Sequence, residues 1–74
     1  MSGTLPPYVR LVNEIAAQFP HKPPAVAAVT IANHLRTVWD PRMKRALVEY
    51  WEAGGDELVP AAAQAAEELR NRFK

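Results

Sequence analysis

Three cations, Arg42, Lys44 and Arg45, crowd into the residues just behind Asp40-Pro41, within the stretch Trp39-Asp40-Pro41-Arg42-Met43. If Pro41 opens a helix, these side chains lie in its first turn and a half. There each cation opposes the positive end of the helix dipole, by about 0.3–1 kcal/mol at most. Local electrostatics therefore does not explain them. One reading is a solvated face of mixed charge, because a helical wheel sets Arg42 and Arg45 beside Glu49 and Glu52, with Arg45 and Glu49 spaced i,i+4. Another is a set of exposed guanidinium donors for carboxylates on a partner protein, since arginine grips a carboxylate with two parallel hydrogen bonds. A third is a nucleic-acid contact through Arg36, Arg42, Lys44 and Arg45. The two glutamates on that face, and the lack of an interleaved aromatic residue for base stacking, argue against this third reading.

Other chemistry is thinly supplied. Cysteine is absent, which removes disulfides, thiolate zinc sites, cysteine-ligated iron–sulfur clusters and thiol nucleophiles. His34 on a helix flank, read as half-buried, and His21 in a proline loop stand apart, without acidic companions at ligand spacing, so no metal site is expected. Ser2 is the one serine, and no pair of carboxylates shares an apolar setting that would split their pKa values. Gly54-Gly55 lacks the lysine and hydroxyl residue that follow a phosphate loop, and reads as a helix end and turn. No catalytic, cofactor-binding or metal-binding residue is expected in this chain.

The elements that must position the cations are helices. Apolar residues recur at helical spacing along four segments, and no alternation of period two is present. An all-α bundle of about four short helices is expected as one domain. A flexible terminus over 1–5 precedes helices over about 6–19, 24–39, 41–53 and 60–73. The first places Tyr8, Leu11, Val12, Ile15 and Phe19 on one stripe, with Arg10 and Glu14 paired outside it. In the second, Ala28, Ile31, Ala32, Leu35, Val38 and Trp39 face inward, and Thr30, Asn33 and Thr37 face out. Met43, Ala46, Leu47, Tyr50 and Trp51 line the third; Leu58, Ala62, Ala65, Ala66, Leu69 and Phe73 line the fourth.

Punctuation supports these bounds. The residue before a proline is pushed out of the α region, so the second helix should stop at Asp40. Asp40 then caps the third, with Pro41 at its first position, where a missing N–H costs nothing. Two helices meet at a tight corner. Gly54 should supply a left-handed cap at the end of the third helix. Pro60 opens the fourth, behind Val59, a poor cap, so that this end either frays or is held by something else. Glu68 and Arg72 form an i,i+4 pair there, and Arg70, Arg72 and Lys74 suit the negative end of its dipole. Trp39 and Trp51 read as core residues at the ends of their stripes, Trp51 near the edge, where a half-exposed indole can anchor an interface.

The chain of 74 residues buries only about 60% of its unfolded surface, so its stability is small and a partner would add to it materially. A net charge of +1 does not point to nucleic acid or an acidic membrane. No apolar run reaches the roughly 20 residues that span a bilayer, and Met1 to Thr4 is too short for a signal peptide. A cytoplasmic protein is expected.

Leu11-Val12-Asn13-Glu14-Ile15-Ala16 with Phe19, then Ala32, His34, Trp39, Pro41-Arg42-Met43, Leu47, Gly54-Gly55, Leu58 and Pro60 resemble the delta subunit of the soluble, molybdenum-containing, NAD-dependent bacterial formate dehydrogenase. The Pro-Arg-Met step, the glycine pair and Leu-x-Pro carry the likeness, over about residues 9–70. The resemblance implies a small non-catalytic subunit or assembly factor without a redox centre. Its partner complex would carry the molybdenum cofactor, iron–sulfur clusters, FMN and the NAD site, and its most direct partner would be the large molybdenum-containing subunit. A role in maintaining the complex, during cofactor insertion for instance, is also implied. No catalytic residue is carried over. Trp39, Asp40, Arg42, Met43, Arg45 and Trp51 are the expected contact residues, and Asp40, Pro41, Gly54, Gly55 and Pro60 the structural ones.

Overall fold

A computed structural model describes residues 5–73, with side chains described through residue 71. Four helices follow one another: α1 (Pro7–Ala16), α2 (Pro24–Val38), α3 (Pro41–Glu52) and α4 (Pro60–Phe73), with no strand among the described residues. The protein is an all-α bundle. Every helix opens with a proline, and the residues before three of them, Pro6, Pro23 and Asp40, are extended, with ψ of 144°, 148° and 164°. One device thus sets all four starts: proline fixes its own φ for the helix and drives its predecessor out of it.

α1 ends at Ala16, three residues earlier than expected. Beyond it the N–H groups of Gln18 and Phe19 donate to the carbonyls of Ile15 and Ala16 at 3.0 and 3.1 Å, a tighter winding than the α-helix. Pro20 pushes Phe19 out of the α region, and the last turn tightens to use up its carbonyls. Residues 1–4, which hold most of the expected flexible terminus, the Glu68–Arg72 pair, the Phe73 side chain and Lys74 fall outside what is described.

α2 and α4 make the most extensive helix pair, and α1 lies across α2, α3 and α4. Ala27, Ala28, Ile31, Ala32 and Leu35 of α2 are buried with Ala62, Ala65, Ala66 and Leu69 of α4. Alanine at so many facing positions permits a short interaxial distance. The alanine surface of α4 is therefore consumed inside the bundle. No described polar side chain is buried, so the interior holds by apolar packing alone, worth about 25 cal/mol per Å² of apolar surface removed from water.

Several inward placements need correction. Leu11 is 43% exposed, while Val9 is fully buried with Val12 and Ala16, because α1 touches three helices and its buried face is turned toward them. Val48 is buried beside Leu47 for a similar reason: α3 packs on both α1 and α4. Val38 points outward at 61% exposure, since it ends α2 at the corner, where no other helix covers it. His34, read as half-buried, is exposed.

Candidate functional site

The α2–α3 corner is built as its residues dictate. Trp39 is extended, with φ −82° and ψ 144°, and its N–H still donates to the Leu35 carbonyl at 2.9 Å, closing the last turn of α2. Asp40 then accepts the Met43 N–H on its Oδ1 at 2.9 Å, the side-chain cap expected of it. Trp39 itself is buried, at 8% exposure, so it offers its surface to the bundle rather than to a partner. Met43 and Trp51 are half-buried against the core.

The four cations of the corner separate into committed and uncommitted groups. Lys44 Nζ donates to the Arg36 carbonyl at 3.3 Å, bringing a positive charge to the carbonyl end of α2, where it is favourable. That contact explains a lysine in the first turn of α3. Arg36 donates from Nη1 to Asn33 Oδ1 at 2.9 Å. Arg42 and Arg45 are exposed and have no ion-pair or hydrogen-bond partner among the described residues. The i,i+4 neighbours Arg45 and Glu49 do not pair, nor do Arg10 and Glu14; the ion pair found among the described residues joins Arg70 Nε to Glu52 Oε2 at 2.7 Å. A shallow depression open to solvent is lined by Asp40, Pro41 and Arg42.

At the far end of α3 the chain turns through Gly54 to Val59. The Gly54 N–H donates to the Trp51 carbonyl and the Gly55 N–H to the Tyr50 carbonyl, at 3.1 and 3.0 Å, the paired bonds of a Schellman ending. Both glycines have positive φ, 129° and 64°, as the motif and the turn after it require. Glu57 also has positive φ, 73°, which is costly for a residue with a Cβ.

Asn13 of α1 supports that strained turn. It donates from Nδ2 to the Glu57 carbonyl at 2.8 Å and accepts the Val59 N–H on Oδ1 at 3.1 Å. Val59 is the residue that caps α4, its carbonyl accepting the Ala63 N–H at 2.9 Å. Asn13 thus does from another helix what the glutamate of a capping box does locally. Sequence reasoning left this end of α4 open. A polar residue at half-buried position 13 was the only local signal, and its partners lie more than forty residues away. Tyr50 completes the support: its hydroxyl donates to the Asp56 carbonyl at 2.6 Å and its ring meets Tyr8 edge to face, centroids 6.2 Å apart. Partial burial, then the Asp56 and Glu57 carboxylates and Tyr8, raise the Tyr50 pKa above its ordinary value of 10.0.

Residues 8–66 match the model of the NADH-dependent formate dehydrogenase delta subunit family, FdsD. The chain belongs to that family. The matched span takes in the corner, the Gly54-Gly55 ending and Asn13 with its partners. No curated protein and no solved structure matches the chain. Its setting as a formate dehydrogenase delta subunit is an enzyme of several chains, and nucleic-acid binding gains no support, with Lys44 and Arg36 already engaged. Among the described residues no three His, Asp or Glu side chains gather into a metal-holding group, and no helix is long and apolar enough to cross a membrane.

Proposed function

We propose that this delta subunit is a non-catalytic chain that docks on the large molybdenum-containing subunit through the α2–α3 corner, in the cytoplasm, and so supports assembly of the enzyme, including insertion of its cofactor. The carrying observation is Arg42 and Arg45: both are exposed, neither has a partner among the described residues, and Arg42 stands in the first turn of α3, where the helix dipole disfavours it. Local rules broken without local compensation mark functional positions. Asp40 and Pro41 hold the corner in shape, and the half-buried Met43 and Trp51 extend the contact surface.

The donor set of this chain does not fit the iron–sulfur clusters that such an enzyme carries. Iron–sulfur clusters take thiolates, and the chain has no cysteine. We therefore place the clusters in the other subunits, and propose from the family that the molybdenum cofactor, FMN and the NAD site lie there with them.

The test is complementation. A host lacking this chain is supplied with the wild type or with the Arg42→Glu/Arg45→Glu variant, and the purified dehydrogenase is assayed for molybdenum and for formate-dependent NAD reduction. The wild type restores both, and the variant restores neither fully. Equal restoration by the two removes the corner from the account.

A further inference from the structure

The corner carries one feature beyond its cations. Val38, the last residue of α2, is the most exposed large apolar side chain described, at 61%, and only Trp39, Asp40 and Pro41 separate it from Arg42. It is no frayed tail, because the Trp39 N–H closes the turn beneath it and Lys44 ties the end of α2 to the start of α3. The charges around it are unevenly spent. Asp40 accepts the Met43 N–H, Lys44 donates to the Arg36 carbonyl and Arg36 to Asn33, whereas Arg42 and Arg45 make no hydrogen bond or ion pair among the described residues. A water-exposed aliphatic side chain close along the chain to two exposed guanidiniums without partners among the described residues is complementary to one kind of surface.

We propose that the partner element seated on this corner is an acidic protein segment, with one apolar side chain that covers Val38 and flanking aspartate or glutamate carboxylates that take Arg42 and Arg45. This rests on the reading of the corner as the docking surface and adds the chemistry of what docks. A phosphate backbone is the poorer fit: Trp39 is buried and cannot stack a base, and Glu49 shares the face with Arg42.

The test uses the assembled dehydrogenase containing this chain. Arg42→Lys and Arg45→Lys place a primary amine at each position, and a water-soluble carbodiimide joins such an amine to a carboxylate within contact distance. The amide forms as the carbodiimide takes up the water and leaves as a urea. The expected result is a cross-linked peptide joining position 42 or 45 to an aspartate or glutamate of another subunit, absent from the wild type. Val38→Ala, exposed and therefore harmless to the bundle, weakens binding of the large subunit roughly five- to tenfold through lost apolar burial. Binding falls as salt rises. A complex that forms normally, yields no such cross-link and ignores Val38→Ala overturns this inference while leaving the docking role standing. Cross-links only between copies of this chain overturn it as well, and absence of a wild-type complex removes both readings.

Discussion

Asn13→Ala should reveal how much of α4's docking depends on one amide. The substitution deletes the bond to the Glu57 carbonyl at 2.8 Å and the bond from the Val59 N–H at 3.1 Å. Each is worth about 0.5–1.5 kcal/mol net. Glu57 and Val59 are exposed, so water replaces part of the loss and the low end applies. The strain of the left-handed Glu57, about 1 kcal/mol, is present in both proteins and adds nothing to the difference. A loss of about 1–2 kcal/mol follows, which in a domain this small lowers the melting temperature by roughly 5–15 °C. Thermal unfolding followed by circular dichroism at two urea concentrations reads it. Glu57→Gly should recover part of the loss in the Asn13→Ala background, because glycine adopts that backbone without a Cβ clash. A variant melting within about 1 °C of the wild type, or a glycine at 57 that destabilises it further, would refute the reasoning that Asn13 holds a strained turn.

Three further outcomes are expected. Gly55→Ala should cost about 1 kcal/mol in urea denaturation, because its φ is 64° and the added Cβ meets Trp51 and Leu58 at 3.5 Å, ordinary contact that leaves backbone strain as the main cost. Asp40→Ala should cost about 0.5–2 kcal/mol by removing the cap on α3, whereas Asp40→Asn should cost little, since its amide oxygen can accept the same N–H. Tyr50 is neutral when protonated and its pKa is raised on folding, so its contribution is complete below the unfolded value of 10.0 and is lost as pH rises through the higher folded one. The melting temperature should therefore fall more steeply above pH 10 in the wild type than in Tyr50→Phe.

Much of this fold is written in local signals. Pro7, Pro24, Pro41 and Pro60 mark four helix starts, Asp40 the corner and Gly54-Gly55 the end of α3, because each acts on backbone within a few residues of itself. The exposure of Arg42 and Arg45 was legible too, since α3 is amphipathic and the wheel sets them opposite Leu47. Where tertiary neighbours decide, the sequence was less informative. A wheel treats a helix as uniformly covered, so it placed Val38 inside although the bundle does not reach the end of α2, and it missed Val9 and Val48, which other helices cover from the side. Lys44 was read as part of a basic cluster because its acceptor, the Arg36 carbonyl, lies on the preceding helix and carries no side-chain signal. Asn13 was invisible as a support for the same reason: both of its partners are backbone groups far along the chain.

The central claim is that the corner cations bind the large subunit of the dehydrogenase. Its most direct measurement is the dissociation constant of the purified chain for that subunit by titration calorimetry, at low and at physiological salt, for the wild type and for Arg42→Glu/Arg45→Glu with helicity matched by circular dichroism. Binding that weakens with salt and falls at least about tenfold in the variant, a loss of some 1.4 kcal/mol, is the predicted result. Equal affinity for the two proteins at both salt concentrations would contradict it.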